Sequence, residues 1–177
     1  MKEHSFKLGI DLGGTKIEIA CLNIKNNQIV YRKRIPSPQN NYNKTLNAIK
    51  NLVETSENEL GLTCPLGIGI PGSISSKTGK IRNANSVWLN GKFLGEDLRK
   101  KLNKKIKIEN DANCFAISES IDGAASKFNN VFGIILGTGV GSGIVLNKNL
   151  IRGASGISGE WGHNPLPWEK NSINTRP

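Results

Sequence analysis

Four short segments of this 177-residue chain carry the residues best able to do chemistry. The first is Asp11-Leu12-Gly13-Gly14-Thr15-Lys16. Backbone N–H groups at glycines approach phosphate oxygens closely, Thr15 adds a hydroxyl donor, and Asp11 suits Mg²⁺, directly or through water. The spacing is neither that of a Walker loop, which needs Gly-Lys-Ser/Thr after a longer loop, nor that of a dinucleotide fingerprint, which runs into a helix. The same residues also serve an ordinary tight hairpin. The second segment, Gly137-Thr138-Gly139-Val140-Gly141-Ser142-Gly143, has more glycine than a hairpin turn needs; a flexible loop is the alternative. The third is Asn110-Asp111. Asp111 fits a general base that takes a proton from a hydroxyl, with the Asn110 amide holding the same substrate. Asp is also a preferred helix N-cap, and the two roles are compatible. The fourth, Gly159-Glu160-Trp161-Gly162-His163-Asn164, places Glu160 and His163 three apart, on one face if the segment is helical. They suit neighbouring carbohydrate hydroxyls or a metal, and equally an ordinary polar surface.

Hydrophobic periodicity supplies the elements that must position these groups. Phe6, Leu8 and Ile10 alternate, as do Ile17, Ile19 and Cys21, and residues 28–35 read as a third strand after an Asn26-Asn27 turn. Leu46, Ile49, Val53 and Leu60 fall at helical spacing over 43–60, with Gly61 as the C-cap glycine. Leu66-Gly67-Ile68-Gly69-Ile70 reads as a buried strand whose glycines leave one face flat enough for a close-packed helix. Residues 73–91 are turn-rich, with a turn at Lys77-Thr78-Gly79. A short helix over 94–103, a strand over 105–109 and a helix over 111–122 follow. Past Gly123 the opening pattern restarts: an apolar strand over 131–136, a glycine turn, and a strand through Ile144, Val145 and Leu146. The echo points to an internal duplication. The order of elements is α/β. A strand pair without a covering helix leaves apolar surface exposed at 131–136 and 144–151.

Composition bounds the partners. The net charge is +10, but eighteen of the 24 basic residues are lysines spread along the chain. The dense stretch over 99–107 lacks interleaved aromatics, so nucleic acid is not the expected partner. No apolar run reaches membrane-spanning length and no secretory leader opens the chain, so the expectation is a cytoplasmic protein with no membrane partner. Cys21, Cys64 and Cys114 are scattered and read as reduced, buried thiols.

In their order, DLGGTK (11–16), GIGIPGSIS (67–75), NANSVWLNG (83–91), ENDANC (109–114), LGTGVGSGIV (136–145) and GEWGHNPLPW (159–168) resemble the ROK family of bacterial sugar kinases. The stretches at Pro71-Gly72, 83–91 and the NPLPW tail look closest to the fructokinase (mannokinase-like) branch, with N-acetylglucosamine kinase a near neighbour. The resemblance implies an actin-like, ribonuclease-H-like ATPase fold. Residues 1–123 would form the first lobe and 124–177 the start of a second. It implies transfer of the ATP γ-phosphoryl group to a hexose hydroxyl, usually O6, with Asp111 as base. Gly72, Asn85, Asn110, Asp111, Glu160 and His163 match carbohydrate-contacting positions. Asp11, Gly13, Gly14, Thr15, Lys16, Gly137, Thr138, Gly139 and Gly141 match the segments that hold ATP with Mg²⁺. In the family, the histidine corresponding to His163 is a zinc ligand completed by three downstream cysteines; here no cysteine follows Cys114. The expectation is therefore an N-terminal fragment, working with a complementing chain or as a homodimer, or else a non-catalytic carbohydrate-binding or regulatory remnant. Repressor members carry a helix-turn-helix domain ahead of the DLGGT segment, for which the ten residues before Asp11 leave no room.

Overall fold

A computed structural model describes residues 5–137 and 139–163. The chain divides after Asp111 into two compact units. In the first, alternation produces β1 (Phe6–Leu12), β2 (Lys16–Asn23) and β3 (Gln28–Pro36), an antiparallel meander in which Ile10 faces Ile19 and Asp11 faces Glu18. Helix α1 (Tyr42–Leu60) starts at Asn41, whose side chain accepts the Lys44 N–H, and stops at Gly61 in the left-handed conformation. It buries Leu46, Ile49, Leu52 and Val53, the stripe that helical spacing requires.

Strand β4 (Leu66–Ile70) then pairs parallel to β1. Two short strands, β5 (Ser73–Ile74) and β6 (Ile81–Arg82), and a 3₁₀ turn at Val87–Leu89 occupy the turn-rich region. Helix α2 (Leu94–Leu102) and β7 (Ile106–Asn110), parallel to β4, complete a five-stranded sheet ordered β3-β2-β1-β4-β7. Leu8, Ile10, Ile17, Ile19, Leu66, Ile68 and Ile70 join α1 and α2 in one hydrophobic cluster. Each such buried side chain contributes about 1.5–3 kcal/mol of transfer free energy.

In the second unit, helix α3 (Asp111–Ile121) leads to the meander β8 (Val131–Leu136), β9 (Val140–Leu146) and β10 (Asn149–Ile151), ordered β10-β9-β8. Gly133 and Gly143 face each other across β8 and β9. A Cβ on either would stand within 3.0 Å of the Ala116 methyl, so these glycines and an alanine face on α3 let helix and hairpin meet closely. Strand β8 is otherwise largely uncovered, with Phe132, Ile134, Ile135 and Leu136 exposed, Leu136 at 78%; β9 is not, since Val145 is fully buried and Ser142 nearly so, which corrects the exposure expected over 144–151. An antiparallel three-stranded meander opens the first unit and follows α3 in the second, the topological counterpart of the sequence echo.

Candidate functional site

Parallel strands end together, and in the first unit this gathers the candidate residues. Asp11 on β1 is level with Gly69 on β4, and Gly69 with Glu109 on β7. One step further along the chain directions lie the 13–16 turn, Pro71-Gly72 and Asp111. The carboxyl edge of a parallel sheet is where open α/β folds bind ligands.

Each group has its own local cause. The Gly13 N–H donates to the Lys16 carbonyl at 2.9 Å and closes the β1–β2 turn. A Cβ on Gly13 would stand 2.9 Å from that carbonyl, so turn geometry alone demands this glycine. Behind the turn, Glu18 on β2 accepts from Arg32 Nε at 2.5 Å and pairs with Arg34. Burial works against its charge, but the hydrogen bonds from Arg34 and Arg32 outweigh it and hold the carboxyl below the usual glutamate range. Crowding by the surrounding chain, then the Glu18 charge, push the Asp11 carboxyl up; Lys16 and Arg34 pull it back. The Asp11 carboxylate offers oxygens of the right kind for Mg²⁺, and the adjoining amides offer N–H donors for the phosphate that would carry it.

Gly72 adopts φ +79°, and a Cβ there would lie 2.5 Å from the Arg82 carbonyl oxygen and 2.7 Å from the Ala84 nitrogen. Its own carbonyl accepts from Asn110 Nδ2 at 2.9 Å. The Asn110 amide thus has a structural task that the sequence did not disclose. Asn85 is exposed in the loop beside these contacts, and Asp111, also exposed, is the first residue of α3 directly after β7. An acidic residue there is favoured by the amide dipoles of the helix start.

The second unit holds the remaining candidates. Gly137 donates to the Gly139 carbonyl at 2.9 Å in the β8–β9 turn; Thr138 lies outside the described residues. Gly159 and Gly162 lie against β9: a Cβ on Gly159 would stand 2.7 Å from the Ser142 carbonyl, and one on Gly162 2.5 Å from that of Val140. Only Trp161–His163 form a 3₁₀ turn, and Glu160 precedes it. The shared face for Glu160 and His163 is conditional on a helix, and no α-helix forms here: the glycines press the segment onto a strand, and only the 3₁₀ turn follows Glu160. Asn164 and the NPLPW tail lie outside the described residues. Among the described residues no three His, Cys, Asp or Glu side chains gather to hold a metal ion. One histidine does not make a closed four-ligand zinc site, so zinc does not fit the described residues.

Cys21 and Cys64 are buried as expected and Cys114 is half-buried. Burial, then the neighbouring Cys21, push the Cys64 thiol up to about 11, the behaviour of an inert core thiol. No described helix is long and apolar enough to cross a membrane. Sequence reasoning missed Glu18 and Asn90: a charged residue in a strand and one more asparagine in an asparagine-rich loop carry no local signal.

The family model described as "ROK family" matches residues 7–174. An N-acetyl-D-glucosamine kinase of Salmonella newport is 42% identical over 159 residues, which are 90% of this chain and 52% of that protein. The chain thus spans about half the length of the curated relatives it matches. Among solved structures, a ROK family glucokinase from Streptomyces griseus in complex with glucose and AMPPNP superposes with TM-score 0.81 at 28% identity, over 91% of this chain and 51% of that one. The ROK hexokinase from Thermus thermophilus gives 0.78 at 28% identity, over 91% and 53%.

Proposed function

Because the chain belongs to the ROK family, whose sugar kinases have the actin-like ATPase fold, we propose that it is the nucleotide- and carbohydrate-binding part of a hexose kinase. The observation that carries this reading is the convergence of the 11–16 hairpin, Gly72 and Asn110-Asp111 at one carboxyl edge of β1, β4 and β7. In this reading the lobes are 1–123 and 124–177, and helix α3 spans the change from one packing unit to the next.

The reaction is phosphoryl transfer from ATP to a carbohydrate hydroxyl, taken to be O6. The hydroxyl oxygen bonds to the γ-phosphorus while its proton passes to the Asp111 carboxylate. The bond to the β–γ bridging oxygen breaks, and ADP leaves with that electron pair. Positioning and charge neutralisation supply most of such catalysis. The amides of Gly14, Thr15 and Gly139 would hold phosphate oxygens, with Thr138 as a further donor, while the Gly13 and Gly137 N–H groups close the two turns that present them. Lys16 would add positive charge. Mg²⁺, held from Asp11, would neutralise charge on the phosphates. Asn85, Gly72, Asn110, Glu160 and His163 would hold the carbohydrate. The relatives named above favour a glucose-type pyranose, N-acetylglucosamine first, over fructose.

ADP release by the purified 177-residue chain, alone and with a complementary C-terminal chain added, with N-acetylglucosamine, glucose, mannose and fructose, tests this. The expectation is carbohydrate-dependent turnover once the complementing chain is present, greatest with N-acetylglucosamine, that Asp111→Asn lowers by roughly 10²–10⁴-fold with a smaller change in carbohydrate affinity. Highest turnover with fructose would restore the fructokinase branch. Binding of carbohydrate without any ADP release would leave the non-catalytic reading.

A further inference from the structure

Besides the backbone bonds from the Leu89 N–H to the Ser86 carbonyl at 2.9 Å and from the Asn90 N–H to the Val87 carbonyl at 3.1 Å, one exposed side chain ties the two ends of the loop between Ala84 and Asn90. Asn90 accepts the Ala84 N–H through Oδ1 at 2.9 Å and donates from Nδ2 to the Ala84 carbonyl at 3.0 Å. Used in this way, a side-chain amide supplies one acceptor and one donor, as a paired backbone group would. Ala84 is buried, so its N–H and carbonyl need these partners, whereas Asn90 itself is exposed and owes nothing to core packing.

The closed loop touches both binding elements of the first unit. On one side the Ala84 backbone lies against Gly72, whose carbonyl takes the Asn110 amide. On the other, Ser86, only 3% exposed, places its Oγ 3.2 Å from where a Cβ on Gly14 would stand. Asn85 lies between these contacts in sequence. The path from Asn110 through Gly72, Ala84 and Ser86 to Gly14 is unbroken, with Ala84 and Ser86 buried and the rest half-buried, and close contacts of this kind transmit displacement because they do not compress.

We propose that Asn90 is a positioning residue: by closing the 84–90 loop it seats Ser86 against the phosphate hairpin at Gly14 and couples carbohydrate binding to nucleotide binding. The identity of the two ligands rests on the hexose-kinase reading; the mechanical link between loop and hairpin does not.

The test uses the whole chain as wild type, Asn90→Ala, Asn90→Asp and Ser86→Ala. Asn90→Asp keeps the acceptor for the Ala84 N–H and loses only the donor, which guards against a variant that fails to fold. Hydrogen exchange needs no ligand. Opening of the loop should speed exchange at the Gly13 amide by roughly tenfold, the equivalent of one lost hydrogen bond. The Leu8 amide, bonded to the Pro65 carbonyl at 2.9 Å, should not change. Faster exchange in residues 83–91 with an unchanged Gly13 amide overturns the proposal, whether or not the protein is a kinase. Calorimetry with AMPPNP–Mg²⁺, with and without saturating N-acetylglucosamine, gives the second readout. The carbohydrate should tighten the nucleotide by about fivefold or more in wild type, and that ratio should fall towards one in Asn90→Ala and Ser86→Ala. An undiminished ratio in both variants refutes the coupling. Wild-type protein that binds neither ligand refutes the kinase reading and leaves exchange at Gly13 to decide the link.

Discussion

Gly72 offers a test in which sign and size both follow from coordinates. Replacing it by alanine imposes two penalties. Its φ of +79° is left-handed, which costs an L-residue about 1–2 kcal/mol. The new methyl would also stand 2.5 Å from the Arg82 carbonyl oxygen, 2.7 Å from the Ala84 nitrogen and 2.8 Å from the Ala84 Cα. All three are backbone atoms that no rotamer change moves aside, and overpacking of this kind costs roughly 1–3 kcal/mol. The sum, about 2–5 kcal/mol, lowers the folding equilibrium constant by a factor of roughly 30 to several thousand. Two further glycines separate the terms. Gly61 has φ +64° but open space around a Cβ, so Gly61→Ala should cost only the left-handed penalty, about 1 kcal/mol. Gly67 lies within β4, is not left-handed and also faces open space. Gly67→Ala should stabilise by about 0.5 kcal/mol through the unfolded chain. Urea unfolding followed by circular dichroism, with equal m-values, measures all three. A Gly72→Ala loss within about 0.5 kcal/mol of that for Gly61→Ala would refute the close approach of Gly72 to the 82–84 backbone.

Three further outcomes are expected. Because the folded protein holds the Glu18 carboxyl below its ordinary value of 4.5, its contribution is present above that value and is lost as pH falls through the folded one. Arg32 and Arg34 are more than half exposed, so Glu18→Gln should cost only about 1 kcal/mol near neutrality, and the gap between variant and wild type should close in acid unfolding. Amides of β8, an edge strand with exposed apolar residues, should exchange faster than those of β1, which pairs on both sides; equal protection would contradict this. Leu136→Ser should reduce aggregation in light scattering and change stability by no more than about 0.5 kcal/mol.

Periodicity disclosed most of the fold because most of its elements bury a stripe or a row. α1 follows its spaced Leu46, Ile49 and Val53 and ends at Gly61, and β7 and α3 meet at Asn110-Asp111 as read. Where nothing is buried in a pattern, the sequence was silent. The 73–91 region is held by the Asn90 side chain, by backbone bonds such as Gly91 N–H to the Ile81 carbonyl at 2.8 Å, and by two-residue strands, none of which has a period. Glu160 and His163 have helical spacing, but the flanking Gly159 and Gly162 are there to touch β9, and touching a strand overrides a helical pattern. The flat glycine row of β4 reads as a helix seat, yet a Cβ on Gly67 meets nothing within 4 Å among the described residues. Glycine in a sequence shows that a side chain is excluded or unneeded, not what excludes it.

That ambiguity is sharpest in the 137–143 segment, and there the structure separates its glycines. A Cβ on Gly143 would lie 2.8 Å from the Ala116 Cβ and 2.9 Å from the Ala112 carbonyl oxygen, and one on Gly141 3.2 Å from the Ala112 Cβ. Helix packing accounts for both. A Cβ on Gly137 or Gly139 meets nothing within 4 Å among the described residues, so packing against those accounts for neither. If the turn cradles phosphate, the glycines kept for that purpose are Gly137 and Gly139, and two effects should come apart. Gly143→Ala should cost about 1–3 kcal/mol of stability, because the Ala112 carbonyl is backbone and cannot turn away. Gly137→Ala should leave stability within about 0.5 kcal/mol and weaken AMPPNP–Mg²⁺ by roughly fivefold or more, since a methyl would stand where a phosphate oxygen approaches the turn. Unfolding curves and calorimetry on the same two variants give both numbers. A Gly137→Ala protein that binds nucleotide as wild type does would remove the turn from the phosphate site, and Gly141 and Gly143 would then be sufficient explanation for the glycine-rich pattern.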